Sequence, residues 1–173
     1  VRIRITVCCL ATNVPGGSML SRLRTAYRDW RYGVIDHSAP LGTRGEQAAA
    51  RHLRMNGYTI VAHSESDRGG EIDLIITDRR RTLLAFVEVK TLASLKPGHP
   101  AERVDENKQT RVTRAALRYL HRHKLLNCRC RFDVVAVWWP TDQPQPTRIE
   151  HYPAAFESTG TDKNAPDGSC TRA

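Results

Sequence analysis

Two apolar segments separated by a short polar turn are the strongest constraint in this sequence. Residues 71–76 and 83–89 are rich in Ile, Leu, Val and Phe, and the turn between them contains Arg79, Arg80 and Arg81. Apolar segments that flank a polar turn predict an antiparallel β-hairpin. Strands this apolar on both faces are typical of the middle of a sheet, so any charge within them must be compensated.

Three ionisable residues interrupt these strands: Asp73, Glu88 and Lys90. With a four-residue loop over residues 79–82, the hairpin places Asp73 directly opposite Glu88, with Cβ atoms about 4.5–5.5 Å apart. Side chains alternate between the two faces of a strand, so Lys90 shares the face of Glu88. Two adjacent carboxylates repel each other, and a divalent cation, which prefers oxygen ligands, removes this conflict. The pattern therefore predicts a metal site on the hairpin.

An alternative interpretation of the same three residues needs no metal. Glu88 and Lys90 can form an ion pair on a solvated sheet face, with Asp73 only ending a turn. Short motifs often have such structural explanations. The apolar residues around all three positions favour the metal site over this alternative, because an unpaired charge in an apolar strand costs several kcal/mol.

Composition limits the classes of partner and the cellular location. The chain has 173 residues, which suits one domain with tails. A net charge of +9 and a pI near 9.8 predict an anionic partner, either nucleic acid or a membrane surface. No apolar run approaches the roughly 18 residues of a membrane span. The five cysteines and seven histidines show no zinc-site spacing, so we expect reduced thiols in a cytoplasmic protein.

The N-terminal extension, residues 1–40, carries little structural signal, and we expect it to be poorly ordered. Residues 1–11 superficially resemble a signal peptide, but their apolar run is short and no small-residue cleavage site follows. Met19 is an alternative start of the chain. The apolar spacing over residues 20–30 fits either a short amphipathic helix or a loosely docked extension.

A compact domain is predicted over residues 41–156, and its first helix is expected at 43–56. Residues 43–46 match a capping box at the start of this helix. The inward stripe of the helix consists of Ala49, Ala50 and Leu53. Glu46 falls inside that stripe, where its side chain either returns to the helix cap or points into a site. The pattern alone favours neither role for Glu46.

Strands and a second helix follow in a regular order. A first strand is expected at residues 58–63, with a loop at 64–70 before the hairpin. After a Pro/Gly-rich loop, the second helix is expected at 105–123, followed by a strand at 131–139 and a short edge strand at 148–152. A tail over residues 157–173, rich in Ser, Thr, Gly, Asp and Pro, is predicted to be disordered, since this composition does not form a packed core.

The second helix has two distinct faces. Its apolar stripe consists of Val112, Ala115, Ala116, Tyr119 and Leu120. The opposite face is a basic ridge that consists of Arg111, Arg114, Arg118 and Arg122. Such a ridge either contacts phosphates or forms a solvated surface, and both interpretations remain open. Gln109 lies at the edge of the apolar stripe, nearer the sheet than the ridge.

Four blocks of this sequence, in the same order, resemble the YraN family. The blocks are residues 45–46 with the alanines that follow, 70–75, 86–90 and 131–135. YraN proteins form a bacterial family with the restriction-endonuclease-like fold, similar to archaeal Holliday-junction resolvases. The resemblance covers residues 41–156 and implies an α/β domain with a central mixed sheet flanked by helices, in the order αβββαβ.

The resemblance also implies a PD-(D/E)xK nuclease site that uses Mg²⁺ or Mn²⁺. In that site Asp73, Glu88 and the Val89 carbonyl are metal ligands, Lys90 is the catalytic lysine and Glu46 is an acid carried by the helix. Gln109 corresponds to a site-proximal residue of related nucleases, although this match is looser. Leu92 departs from the family, which often has a basic residue after the lysine block.

These observations lead to two main functional hypotheses. The first is a metal-dependent DNA endonuclease that acts on branched or damaged DNA. The second is a nucleic-acid-binding module that has the same fold and no useful turnover. The intact D…E-x-K motif favours the first, although a fold by itself does not establish an activity. In both, the arginines of the turn and the ridge attract phosphates of any sequence, and the resolvase resemblance suggests a homodimer. A third, weaker hypothesis is a structural protein whose charge serves solubility.

Overall fold

The computed structural model describes residues 31–67, 70–93 and 105–159, together with Tyr27 and Asp29. The elements in chain order are α1 (Leu41–Met55), β1 (Thr59–Asp67), β2 (Gly70–Thr77), β3 (Leu83–Leu92), α2 (Glu106–Arg122), β4 (Arg129–Trp138) and β5 (Arg148–Phe156). The predicted order of helix, three strands, helix and strand is confirmed. The edge strand is also present and is longer than expected. The helix considered over residues 20–30 lies mostly outside the described residues.

All five strands form one mixed sheet. Their spatial order is β1-β2-β3-β4-β5. β3 and β4 are parallel, and every other neighbouring pair is antiparallel. A parallel pair needs a long crossover connection, and α2 is part of that crossover. β3 therefore lies at the centre of the sheet, between β2 and β4.

The two helices cover opposite faces of the sheet. Ala85 and Val87 of β3 belong to the core under α1, whereas Leu84 and Phe86 belong to the core under α2. This division follows from the alternation of side chains along a strand. The stripe predicted for α1 is buried, and so are all five residues of the stripe predicted for α2.

The β2–β3 hairpin has the predicted register. Leu74 pairs with Val87, and Thr77 pairs with Leu84. Continuing this register by one residue places Asp73 across from Glu88, although the backbone pairing itself ends at Leu74. The five residues between the strands form a turn in which Asp78 Oδ1 accepts hydrogen bonds from the N–H groups of Thr82 and Leu83.

Two local predictions are wrong. The capping box at residues 43–46 does not form, because α1 begins at Leu41 and its N-cap, Pro40, makes no side-chain hydrogen bond. Glu46 therefore lies in the second turn of the helix and not at the cap. The loop predicted at residues 64–70 is mostly strand, because β1 continues to Asp67 and pairs with β2 along its length.

Both ends of the described domain contact its core or its helices. Ile35 is buried among the core residues under α1, so packed structure begins before residue 41. At the other end, the Thr159 N–H donates to Thr113 Oγ1 of α2. Residues 160–173, which form most of the predicted disordered tail, lie outside the described residues. Neither helix of the described chain combines the length and apolar character needed to cross a membrane.

The close approach of α1 to the sheet depends on Gly45. A Cβ atom built at this position would lie 1.8 Å from Thr91 Oγ1 and 2.9 Å from Thr91 Cβ. A side chain therefore cannot be added here unless the helix moves away from β3. Gly42 of the same helix has nothing within 4 Å of the corresponding position.

We expect Gly45→Ala to lower the free energy of unfolding by about 1–3 kcal/mol, the usual cost of overpacking. The matched control, Gly42→Ala, should raise it by up to about 1 kcal/mol, since alanine is the better helix former. Urea denaturation followed by circular dichroism measures both values. Equal effects from the two substitutions would show that the packing at Gly45 is not tight.

Candidate functional site

The candidate site lies where the β2–β3 ladder ends. Asp73 belongs to β2, and its carboxylate reaches across to β3, where Oδ2 accepts a hydrogen bond of 2.7 Å from the Val89 N–H. Val89 was predicted to act through its carbonyl, and the contact that the structure shows is made by its N–H group. This contact fixes Asp73 beside the strand that carries Glu88 and Lys90. Asp73 lies within a strand and does not end a turn, so that part of the metal-free interpretation is wrong.

Glu88 is buried, with only 3% of its surface exposed. Lys90 Nζ lies 3.0 Å from its Oε1, and Lys108 Nζ lies 3.2 Å from its Oε2. The first contact is also a hydrogen bond. The second is an ion pair without the alignment of a hydrogen bond, so among the described residues Oε2 is buried and has no aligned hydrogen-bond donor. The Glu88–Lys90 ion pair of the metal-free interpretation is present. However, Glu88 is buried and does not lie on a solvated face of the sheet.

Lys108 is the residue that sequence reasoning missed. It lies in the first turn of α2, where the Asp105 side chain caps the helix by accepting from the Lys108 N–H. Lys108 precedes Val112 by four residues, so it extends the buried stripe towards the sheet. A lysine in an apolar stripe needs a buried partner of opposite charge. The position of Lys108 in that stripe could therefore have identified it as a site residue. Gln109, the predicted site residue, is half-buried beside Lys108, and it is the lysine that forms an ion pair with Glu88.

The carboxyl group of Asp73 has a strongly shifted pKa. Burial and the nearby charge of Glu88 raise its pKa to about 7, although the Val89 hydrogen bond and Lys108 act in the opposite direction. Glu46 adds a smaller upward effect. A carboxyl group with a pKa of about 7 is protonated in about half of the molecules at neutral pH, and a cation can take the place of that proton.

Glu46 contributes a third acidic group from α1. Burial raises its pKa, and the charges of Glu71 and Glu88 raise it further, while a hydrogen bond with Ser64 opposes them. The tight packing at Gly45 brings this turn of the helix close to β3. Glu46 therefore belongs to the same electrostatic cluster as Asp73 and Glu88. Glu71 and Ser64 were not singled out by the sequence, because both lie in polar stretches.

The donor set fits a hard divalent cation. Carboxylate oxygens are the preferred ligands of Mg²⁺, and Oε2 of Glu88, which has an ion-pair partner but no aligned hydrogen bond among the described residues, can bind a cation. However, the described residues contain no group of three His, Cys, Asp or Glu side chains placed to hold a metal ion. Asp73 and Glu88 would thus coordinate a cation together with backbone or water oxygens. The ammonium group of Lys108 would then move away from Glu88.

The predicted phosphate-binding arginines fall into two separate groups. The ridge on α2, Arg111, Arg114, Arg118 and Arg122, is exposed. Arg122 also forms an ion pair of 2.6 Å with Glu65. The turn arginines Arg79, Arg80 and Arg81 are exposed at the other end of the hairpin. Asp73 and Thr77 are four residue steps apart along β2, which is roughly 13 Å at about 3.3 Å per residue.

Several known proteins are similar to this chain. Residues 45–137 match the group described as "Uncharacterised protein family UPF0102". A UPF0102 protein from Rhodopirellula baltica is 64% identical over 141 residues, which cover 82% of this chain and 84% of that protein. UPF0102 proteins from Trichlorobacter lovleyi and Chlorobaculum tepidum are 43% and 46% identical, over 68% and 67% of this chain and 90% and 91% of their own lengths.

The pKa of Asp73 gives a pH dependence with a definite sign. Its pKa rises from 3.8 to about 7 on folding, so the folded state binds more protons between those values and stability falls as pH rises through that window. Asp73→Asn removes this effect. We expect the substitution to raise the free energy of unfolding by about 1–3 kcal/mol near pH 8 without metal, and to change it little near pH 4.

Asp78→Asn is the control, because Asp78 belongs to the same hairpin and has the opposite shift. Desolvation acts to raise the pKa of Asp78, but hydrogen bonds from Thr82 and Leu83 outweigh it and lower the pKa. Its substitution should therefore cost stability at every pH above about 4. Urea denaturation across the pH range measures both variants. A stability difference for Asp73→Asn that does not grow between pH 4 and pH 8 would contradict the assignment.

Proposed function

Since the chain belongs to the UPF0102 family, also called YraN, we propose that it is a metal-dependent DNA endonuclease with a restriction-endonuclease-like core. The observation that carries the proposal is the junction of Asp73 and buried Glu88 at the end of the β2–β3 ladder, beside Lys90 and Lys108. Two carboxylates and a lysine on adjacent strands are the elements of a D…E-x-K nuclease site. The mixed sheet with helices on both faces is consistent with that fold.

Asp73, Glu88 and the Val89 carbonyl would hold Mg²⁺ or Mn²⁺. When bound, the ion would polarise the scissile phosphate and lower the pKa of a coordinated water. The Val89 N–H fixes one oxygen of Asp73, so the other can face the site. This anchoring restricts Asp73 to one orientation, which is the preorganisation that electrostatic catalysis requires.

Two lysines would stabilise the charge that develops on the phosphoryl oxygens. Lys90 and Lys108 each contact a different oxygen of Glu88. Once Glu88 is neutralised, their ammonium groups can pair with phosphate oxygens instead. Glu46, whose pKa is raised by burial, would accept a proton from the attacking water at neutral pH. Gln109, beside Lys108, would contact the substrate or its water shell.

The exposed ridge on α2 would hold DNA beside the site. α2 begins at the site with Lys108, and Arg111 lies one turn further along the same helix, with its carbonyl against Gly70. The ridge therefore leads away from the site along the helix. Phosphate contacts of this kind do not depend on base sequence, which suits recognition of a branched or damaged shape. A homodimer would present two such sites to a branched substrate.

A second candidate is a nucleic-acid-binding module without turnover. The observation that favours it is the engagement of Glu88 by two lysines, with no preformed three-residue metal site among the described residues. In that case Lys90 and Lys108 would serve only to neutralise Glu88, and the ridge would provide all the DNA affinity. Cleavage assays separate this candidate from the nuclease.

We expect the full chain to cleave at least one of four DNA substrates, linear, single-stranded, flapped or four-way, with Mg²⁺ or Mn²⁺ and not with EDTA. Lys90→Ala should reduce cleavage by about 100-fold or more, the scale of one electrostatic contact in the transition state. It should leave DNA affinity nearly unchanged, because Lys90 is only one of many cationic side chains that can contact DNA.

Lys124→Gln is the matched control for that substitution, since Lys124 is exposed just after α2. It should leave cleavage at the wild-type rate. If the wild-type chain cleaves none of the substrates and Lys90→Ala binds DNA as the wild type does, the binding module replaces the nuclease as the proposed function.

A further inference from the structure

A cavity of about 570 Å³ lies at the end of the sheet remote from Glu88. It opens where α1 ends and β1 begins, next to the β2–β3 turn. Its described lining residues include Arg31, Tyr32, Arg54, Gly57, Tyr58 and Arg79. Its volume falls within the range of small-molecule binding sites, about 300–1,000 Å³.

The charge of this cavity is strongly positive. Three of its described lining residues, Arg31, Arg54 and Arg79, are arginines, and none is acidic. These three residues come from separate parts of the chain, namely the segment before α1, the last turn of α1 and the β2–β3 turn. Like charges around one cavity repel each other, so the fold has gathered them at an electrostatic cost.

Arg54 has only neutral partners among the described residues. Its Nη1 donates to the Tyr32 carbonyl at 3.1 Å, and its Nη2 lies 3.4 Å from Nε2 of His63. Arg51, one turn earlier in α1, instead forms an ion pair of 2.9 Å with Asp29. Arg54 is also half-buried, so its guanidinium is held in one place by the protein rather than extended into solvent.

Arg79 is seated against Gly57 at the wall of the cavity. A Cβ atom built on Gly57 would lie 2.6 Å from Arg79 Nε, and the backbone of Gly57 has φ +89, which side chains rarely adopt. Glycine thus leaves the space that the guanidinium of Arg79 occupies. Arg31 lies over the ring of Tyr32, with its Cζ 5.7 Å from the ring centroid. The cavity therefore combines three guanidinium groups with aromatic lining residues.

We infer that this cavity is a binding site for the phosphate group of a nucleotide. A guanidinium presents a planar fork of N–H donors that matches phosphate oxygens, and three guanidinium groups around one cavity favour a doubly charged phosphate. Tyr32 and Tyr58 also line the cavity, and a ring face of Tyr32 can pack against a base. The site is separate from the proposed metal centre and does not depend on nuclease activity. A free mononucleotide and the phosphorylated end of a strand offer the same chemistry.

Calorimetric titration of the full chain in EDTA tests the inference, since EDTA removes any metal-dependent binding at Glu88. Adenosine 5′-monophosphate should bind, and adenosine, which lacks the phosphate, should bind at least about tenfold more weakly. Arg54→Gln and Arg79→Gln should each weaken nucleotide binding by about tenfold. Arg80→Gln is the matched control, because Arg80 is exposed in the same turn and does not line the cavity.

The source of the phosphate is distinguished by a second pair of probes. A single-stranded oligonucleotide with a 5′-phosphate should be compared with the same oligonucleotide without it. A preference for the phosphorylated strand that is lost in Arg79→Gln identifies a strand end as the ligand, and binding of the mononucleotide alone identifies a free nucleotide.

Equal binding of adenosine and its monophosphate overturns the inference. So does nucleotide binding that Arg79→Gln leaves unchanged, or no binding at millimolar concentration. Arg79 is exposed in the turn, so its substitution tests the site even where Arg54→Gln fails to fold.

Discussion

The structure depends on the burial of one carboxylate, Glu88, at the centre of the sheet. β3 lies between β2 and β4, so its side chains have little access to water. A buried carboxylate costs several kcal/mol unless charges and hydrogen bonds compensate it. Lys90 and Lys108 supply the charges, and Lys108 can do so only because α2 begins over this part of β3. Glu88 therefore contacts the start of α2 and also lies where the pairing of β2 with β3 ends.

A second buried carboxylate in the same sheet shows what complete compensation looks like. Asp133 is fully buried on the face under α1. Arg131 Nε lies 2.8 Å from its Oδ1, and His151 Nε2 lies 2.8 Å from its Oδ2. The Ala154 N–H also donates to Oδ1. Both oxygens are satisfied, so this network stabilises the pairing of β4 with β5 and leaves no place for a cation.

Glu88 differs from Asp133 in a way that matters for function. Among the described residues, its buried Oε2 has the ion pair with Lys108 but no aligned hydrogen bond, and its neighbour Asp73 has a pKa of about 7. Natural proteins rarely leave a buried polar atom unsatisfied without a reason such as ligand binding. The contrast between Asp133, whose hydrogen bonding is complete, and Glu88, which is held mainly by two ion pairs, supports the candidate site together with the sequence motif.

Much of this arrangement could be predicted from periodicity. The hairpin register that brings Asp73 near Glu88 follows from two apolar strands and a short turn, and the faces of α2 follow from a repeat of 3.6 residues. The polar residues before Asp67 resemble a loop, yet they form an edge strand, because such a strand needs backbone pairing more than apolar side chains. Lys108 was missed because its role depends on the position of α2 over the sheet.

The cavity lined by Arg31, Arg54 and Arg79 could not be predicted at all. Its residues are distant in sequence, and only the fold brings the end of α1 next to the β2–β3 turn. In the sequence, Arg79 is equivalent to Arg80 and Arg81. In the structure it differs from Arg80, because Gly57 leaves space for its guanidinium at the cavity wall.

The most direct test of the central claim is calorimetric titration of the full chain with Mn²⁺ at about pH 6 and about pH 8.5, in buffers of different ionisation enthalpy. This experiment measures both the metal affinity and the number of protons released. With the pKa of Asp73 near 7, binding should release close to one proton at the lower pH and almost none at the higher, and affinity should increase with pH. Equal affinity at the two pH values without proton release would contradict a metal centre built on Asp73 and Glu88.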